Sequence, residues 1–246
     1  VLLPWLLLSG VADIIDILPF ETPKWFLDTD IGQGVYFLIF LLGVAIIGPR
    51  IIKIFWRCKP LVSGYARSRI ENICARAELE YKDILHWPIF GGKMITAGVM
   101  GLVKKFRYIL VTNALLHLLE PDELDMVIAH EIGHVKKKHL VFYLVFFAGF
   151  LLIAHTVVDL IIRLIYSSET YFWIITVTGV SEDTVASFTT ALVFVTLFLL
   201  YFRFIFGFFM RNFERQADIY VYSIFDTSRP LVSTLGEIAA SSGQSA

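Results

Sequence analysis

Cysteine is scarce in this 246-residue chain, and so is charge. The two cysteines, Cys58 and Cys74, stand far apart. No pair has the spacing of a thiolate metal site, so both read as ordinary thiols. Charged side chains make up 17% of the sequence, with 21 basic against 22 acidic residues and a formal net charge of −1. Neither sign dominates, so nucleic acid and other polyelectrolyte partners have no support. What fills the space is apolar: 57% of residues are hydrophobic, and the mean hydropathy is +0.72, above the range of a water-soluble domain.

Long apolar runs carry that excess. A bilayer core takes about 20 apolar residues as helix. Ile31 to Gly48, Leu140 to Ile165 and Val185 to Met210 are runs of that kind, the third interrupted late by Arg203. Val1 to Leu8 is shorter and reads as the tail of a first crossing, with a signal peptide as the alternative. The loops differ in sign. Asp13, Asp16, Glu21, Asp28 and Asp30 crowd one side, with Glu169, Glu182 and Asp183. Arg50, Lys53, Arg57, Lys59, Lys136, Lys137, Lys138, Arg211 and Arg215 crowd the other. The positive-inside bias makes the basic side cytoplasmic, where a disulfide between the two cysteines is not expected.

On that side lies His130-Glu131-Ile132-Gly133-His134. Two histidines four apart on a helix project from one face. Their imidazoles can share one zinc ion, and the intervening glutamate can hold the attacking water. Glu120-Pro121-Asp122-Glu123 supplies the helix start, with proline at the first helical position and acids in the first turn. Leu124, Val127, Ile128 and Ile132 follow at apolar helical spacing. Gly133 leaves room for another segment to come close to the metal. The competing reading is an amphipathic helix with two histidines at this spacing by chance.

A catalytic zinc takes a third protein ligand and keeps a position open. Glu214 is the candidate, and Asp218, four residues on, shares its helical face and could accept a hydrogen bond from a ligand histidine. Read alone, the same stretch is a charged helix start beside a membrane segment. Arg211 and Tyr222 lie on that face as candidate donors to a transition-state oxyanion, although interfacial anchoring is favoured for both. The hairpin leaving at Leu140 and returning at Met210 explains how Glu214 meets His134.

Residues 57–139 form the soluble part. Leu61 to Tyr81 reads as a helix with a solvated, alternating-charge face. Lys82 to Ile89 reads as a loop or short strand, Gly91-Gly92 as a turn and Lys104-Lys105 as a hairpin turn. Arg107 to Thr112 reads as a strand, and Asn113 to Leu119 as a short helix. A sheet edge here could bind an extended substrate by strand addition, or simply cover the helix. His139 is expected at headgroup level, and His86 and His117 at packing or surface positions. His155, Asp159 and Arg163 share one face of a membrane helix and are expected to pair locally near the outer interface, ahead of a polar track of transporter type.

With these motifs the chain resembles the HtpX-type membrane zinc metallopeptidases, a gluzincin family that includes CAAX prenyl endopeptidases and the mitochondrial protease Oma. The resemblance rests on Tyr108-Ile-Leu-Val-Thr-Asn-Ala-Leu-Leu, Leu119-Glu-Pro-Asp-Glu-Leu, Ala129-His-Glu-Ile-Gly-His-Val-Lys-Lys-Lys-His and Phe213-Glu-Arg-Gln-Ala-Asp. One departure is Met94-Ile95-Thr96-Ala97-Gly98, where members often carry an Asn-Ala pair. The resemblance implies one Zn2+ per chain on His130, His134 and Glu214, with Glu131 as base. It implies a mainly α fold of about four transmembrane helices, the first truncated, with a cytoplasmic zincin-like α+β domain bearing a small sheet. The expected divisions are 1–56 (N-terminal transmembrane), 57–139 (catalytic), 140–210 (transmembrane hairpin) and 211–246 (return helix). The expected function is peptide-bond hydrolysis in membrane-protein quality control, within the lipid bilayer of a bacterial inner membrane. CAAX-type processing and a non-catalytic zinc scaffold are the alternatives.

Overall fold

The computed structural model describes residues 29–88 and 94–225. The expectations for Val1 to Leu8 and Gly91-Gly92 fall outside them. The chain divides into two compact units, Val1–Ile128 with Pro230–Ala246, and Ala129–Arg229.

In the first unit, helix α1 (Asp30–Phe55) starts where the Thr29 hydroxyl accepts from the Gly32 amide and carries Pro49 inside. Four short strands then form a sheet of order β1-β2-β4-β3: β1 (Lys59–Pro60), β2 (Asp83–His86), β3 (Ala97–Met100) and β4 (Tyr108–Val111). β2 and β4 run parallel, and the other pairings are antiparallel. All four residues of β4 are buried, which suits the unbroken apolar run of a central strand. Leu85, Tyr108, Leu110 and Cys58 form a core flanked by Trp56 and Trp87, whose rings stack with centroids 4.9 Å apart. Cys58 and Cys74 are free thiols, and burial pushes the Cys74 thiol up to about 12, which removes its reactive thiolate at neutral pH.

Two local expectations shift. The helix sought across Leu61 to Tyr81 is the shorter α2 (Tyr65–Arg76). Its lead-in is drawn into the sheet, where the Leu61 amide donates to the Ile84 carbonyl. Beyond it, Glu78 takes φ +48° and ends the turn. The β3–β4 connection is not a tight turn at Lys104-Lys105 but a longer loop holding a 3-10 turn, Lys104–Phe106. Gly101, at φ +109°, makes it possible, since a Cβ there would lie 2.3 Å from the Phe106 carbonyl oxygen. The Arg107 guanidinium plugs the loop, donating to the Leu102 carbonyl at 2.7 Å and the Glu80 carbonyl at 2.8 Å.

Helix α3 (Asn113–Leu118) follows, capped by Thr112. Next comes α4 (Pro121–Lys136), which begins in the first unit and ends in the second. The Glu123 carboxylate reaches back to accept from the Glu120 amide at 3.1 Å, half of a capping box. Arg69 of α2 clamps this first turn, donating to Asp122 at 2.8 Å and to Asp125 through Nε at 3.0 Å.

The second unit is a helical hairpin. Helix α5 (His139–Tyr166) leads through the short α6 (Glu169–Thr178) to α7 (Glu182–Leu200). A π-helical turn (Tyr201–Phe206) joins α7 to α8 (Gly207–Ile224) without a break. Phe150 sits among Phe194, Phe198, Tyr201 and Phe202. The Tyr201 hydroxyl donates to the Phe146 carbonyl across the hairpin at 2.8 Å, and such interhelical bonds help hold helices together in lipid. Arg163 pairs with Asp159 at 2.9 Å, both exposed, so that pair is local as expected.

Gly34–Phe55, His139–Tyr166 and Glu182–Ile224 are long and apolar enough to cross a membrane. Their side chains are largely exposed, including Ile39, Ile54, Leu152 and Phe188, as lipid-facing surfaces require. The chain is an integral membrane protein of mainly helical fold.

Asp125→Ala should destabilise the fold by about 2 kcal/mol, because it strips a charged partner from Arg69. Thermal denaturation in detergent measures this, and an unchanged midpoint would show the clamp to be idle.

Candidate metal centre

The α4 helix sets the two histidines one turn apart. Their Nε2 atoms face each other at 3.2 Å. From α8, Glu214 Oε2 lies 3.4 Å from His130 Nε2 and 3.8 Å from His134 Nε2. One ligand atom from each residue therefore lies within 4.8 Å of the others. Donors bound tetrahedrally at about 2.0–2.1 Å to zinc are themselves roughly 3.3 Å apart, so the triangle has the right size for one ion. Its chemistry fits as well. Three lone-pair donors converge, and a cation is what such a set stabilises.

The surroundings fix the rings. His130 Nδ1 lies 3.0 Å from Asp218 Oδ1. A proton held there leaves Nε2 free as a ligand. Burial pulls the His134 imidazole below its ordinary range, with the neighbouring His130 and His139 acting the same way and Glu214 opposing them. The neutral ring that a metal needs is thus favoured. Glu131, the residue after His130, is half-buried on the same helix.

Gly133 permits the approach of α8. A Cβ there would lie 3.1 Å from Ala217 Cα and 3.2 Å from the Ala217 carbonyl oxygen. Ala217 is fully buried at this crossing. Small residues on both helices let the backbones come together, which brings Glu214 within reach.

The sequence candidates therefore separate. His130, His134, Glu214 and Asp218 come together. Arg211 and Tyr222 lie on α8 with exposed side chains, outside the converging ligand atoms. His86 lies on β2, and His117 is exposed on α3. His139, expected at headgroup level, is the first residue of the membrane-length helix α5 and packs inward. Its ring is 1% exposed, and its Nδ1 lies 2.8 Å from His134 Nδ1. Gln216, not singled out by sequence reasoning, meets the other face of that ring's hydrogen bonding, at 3.3 Å from His139 Nε2. The one sequence signal for Gln216 was its place between Glu214 and Asp218.

The chain is similar to known proteins. Residues 60–245 match peptidase family M48. A protease HtpX homologue of Aeropyrum pernix is 30% identical over 115 residues, covering 44% of this chain and 35% of the relative. CAAX prenyl protease 1 of Saccharomyces cerevisiae is 30% identical over 119 residues, 45% of this chain and 26% of that protein. Protease HtpX of a Psychrobacter species is 33% identical over 72 residues, 29% of this chain and 24% of that one. The matches thus span about a third or less of these curated relatives. The crystal structure of S. mikatae Ste24p superposes with a TM-score of 0.66 at 21% identity, covering 99% of this chain and 58% of that one. At that identity the likeness speaks for the fold alone.

Gly133→Ala should weaken metal binding and lower thermal stability. Overpacking costs about 1–3 kcal/mol, more than the roughly 1 kcal/mol that alanine gains in helix propensity. A tighter or more stable variant would contradict the close crossing. A second expectation concerns pH. The folded His134 titrates below its usual 6.5, so its contribution to stability is present above that value and is lost as pH falls below it. Protonation of the His134 ring should therefore set in only as pH falls below 6.5. An NMR titration of the His134 ring in the metal-free protein tests this, and protonation beginning above 6.5 would count against the neutral ring.

Proposed function

The chain belongs to peptidase family M48, and from that premise we propose that it is a membrane-embedded zinc endopeptidase with one Zn2+ per chain. What supports this reading is the convergence of His130, His134 and Glu214 from two helices of a membrane hairpin. His130 and His134 offer Nε2, and Glu214 offers a carboxylate oxygen. Among the described residues three ligands converge, and a site with three protein ligands would keep a coordination position open, as catalytic rather than structural zinc sites do, which favours an enzyme over a zinc-binding scaffold.

Zinc bound there supplies Lewis acidity toward a peptide carbonyl and brings the pKa of water toward about 7. Glu131 takes the proton of the attacking water and passes it to the departing amine. Asp218 accepts from the His130 ring and holds it in place. Arg211 and Tyr222 enter as candidate donors to the developing oxyanion, and unchanged kcat in both Arg211→Ala and Tyr222→Phe would return them to interfacial anchoring. Among the described residues β3 is an edge strand of the sheet, and strand addition there is the proposed binding mode of an extended substrate.

The substrates assigned are membrane proteins cleaved in quality control, with the site on the cytoplasmic face. The basic residues Arg50, Lys53, Arg57, Lys136, Lys137 and Lys138 near helix ends support that orientation. A second reading, cleavage of prenylated CAAX ends, is favoured by the similarity to CAAX prenyl protease 1 of Saccharomyces cerevisiae. Incubating the protein with an unfolded membrane protein or a prenylated CAAX peptide, each with and without chelator, separates the two.

Glu131→Gln should keep zinc and lose about 10²–10⁴-fold in cleavage rate. His134→Ala and Glu214→Ala should lose the metal as well. Unchanged cleavage in the first variant would reject the base, and full zinc occupancy in Glu214→Ala would reject the third ligand.

A further inference from the structure

A second ring stands behind His134. His139 opens α5, yet its side chain is 1% exposed. It stacks on Phe213 of α8, with centroids 4.3 Å apart and planes at 18°. The chain reaches this position through Lys138, whose φ of 58° and ψ of 32° are left-handed. The turn is closed by the Lys137 amide on the Gly133 carbonyl and the Lys138 amide on the Val135 carbonyl. A non-glycine residue in that conformation costs about 1–3 kcal/mol, so the surrounding contacts must hold it there.

The proton positions follow from the distances. His139 Nδ1 and His134 Nδ1 lie 2.8 Å apart, and two ring nitrogens attract only if one carries a proton. His134 turns Nε2 toward His130 and Glu214. For Nε2 to offer a lone pair to a metal, the neutral ring must carry its proton on Nδ1. That N–H donates, so His139 Nδ1 accepts. The proton of His139 is then on Nε2, which donates to Gln216 Oε1 at 3.3 Å. Gln216 lies two residues after Glu214 on α8. The helix that carries the third ligand thus carries the acceptor that sets the tautomers of both rings.

We propose that His139 and Gln216 are positioning residues that lock His134 as its Nδ1–H tautomer and aim its Nε2 at the metal. The inference rests on the zinc reading above. The two ligand histidines are braced differently: His130 by the Asp218 carboxylate, His134 by a neutral pair. Both act through His134, which His139 contacts directly and Gln216 reaches through His139. Such braces are typically worth about 10–100-fold in metal affinity.

The test is zinc affinity of the full chain in detergent, by competition with a chromophoric chelator, together with ring ¹⁵N NMR. His139→Phe keeps the stack on Phe213 but removes the acceptor, and should weaken zinc binding about 10–100-fold. Gln216→Met should do the same, while Gln216→Glu, which keeps an acceptor oxygen, should bind zinc better than Gln216→Met. The spectrum should place the His139 proton on Nε2. Wild-type affinity in His139→Phe, or a His139 proton on Nδ1, would overturn the relay. Should His139→Phe not fold, equal affinities in Gln216→Met and Gln216→Glu would overturn it as well. Wild-type protein that binds no zinc would overturn the zinc reading and the relay together, whereas tight wild-type binding with insensitive variants would overturn the relay alone.

Discussion

The close crossing of α4 and α8 at Gly133 and Ala217 is the constraint on which the site depends. Two histidines on one helix make only half of a metal site. The other half must come from a residue distant in sequence, and its carboxylate has little reach. Glu214 arrives because α8 touches α4 where neither helix has bulk to spare. That contact is in turn held by the hairpin, with Phe150 packed among four aromatic rings of the returning helix and Tyr201 bonded to the Phe146 carbonyl. Aromatic packing inside a membrane segment therefore has a chemical consequence at the helix end.

Polar satisfaction shapes the rest. Each ring of the candidate metal centre turns one nitrogen toward Glu214 and needs a partner for the other, since a buried N–H left unpaired is costly. Asp218 serves His130, and His139 serves His134. Asp218 and Gln216 lie within about one turn of Glu214 on α8, so that helix supplies the carboxylate and two of its neighbours' partners, while His139 comes from α5. A rotation of α8 would disturb Glu214, Gln216 and Asp218 at once. The π-helical turn at Tyr201–Phe206, just upstream, sets the phase at which α8 presents this face.

Much of this was legible in the chain itself. The His-Glu-x-x-His helix, its proline-led start and Glu214 with Asp218 are local patterns at helical spacing. The long apolar runs declare themselves by composition. What stayed hidden depends on backbone conformations that residue identity does not announce. His139 follows three lysines and looks like an interfacial residue. Only the left-handed Lys138 turns it back under His134, and lysine carries no signal for that conformation. The loop at Gly101 was missed for the converse reason, because Lys104-Lys105 resembles a turn while the deciding contact is the Arg107 guanidinium on distant carbonyls. Helix α2 came out shorter because pairing with β2 competed with helix propensity.

The most direct test of the central claim is X-ray absorption at the zinc edge on the metal-loaded full chain. Two imidazole nitrogens at about 2.0–2.1 Å and one or more oxygens at about 2.0–2.2 Å, with no sulfur, are expected of His130, His134 and Glu214. A sulfur scatterer near about 2.3 Å, or a shell with fewer than two imidazoles, would contradict it.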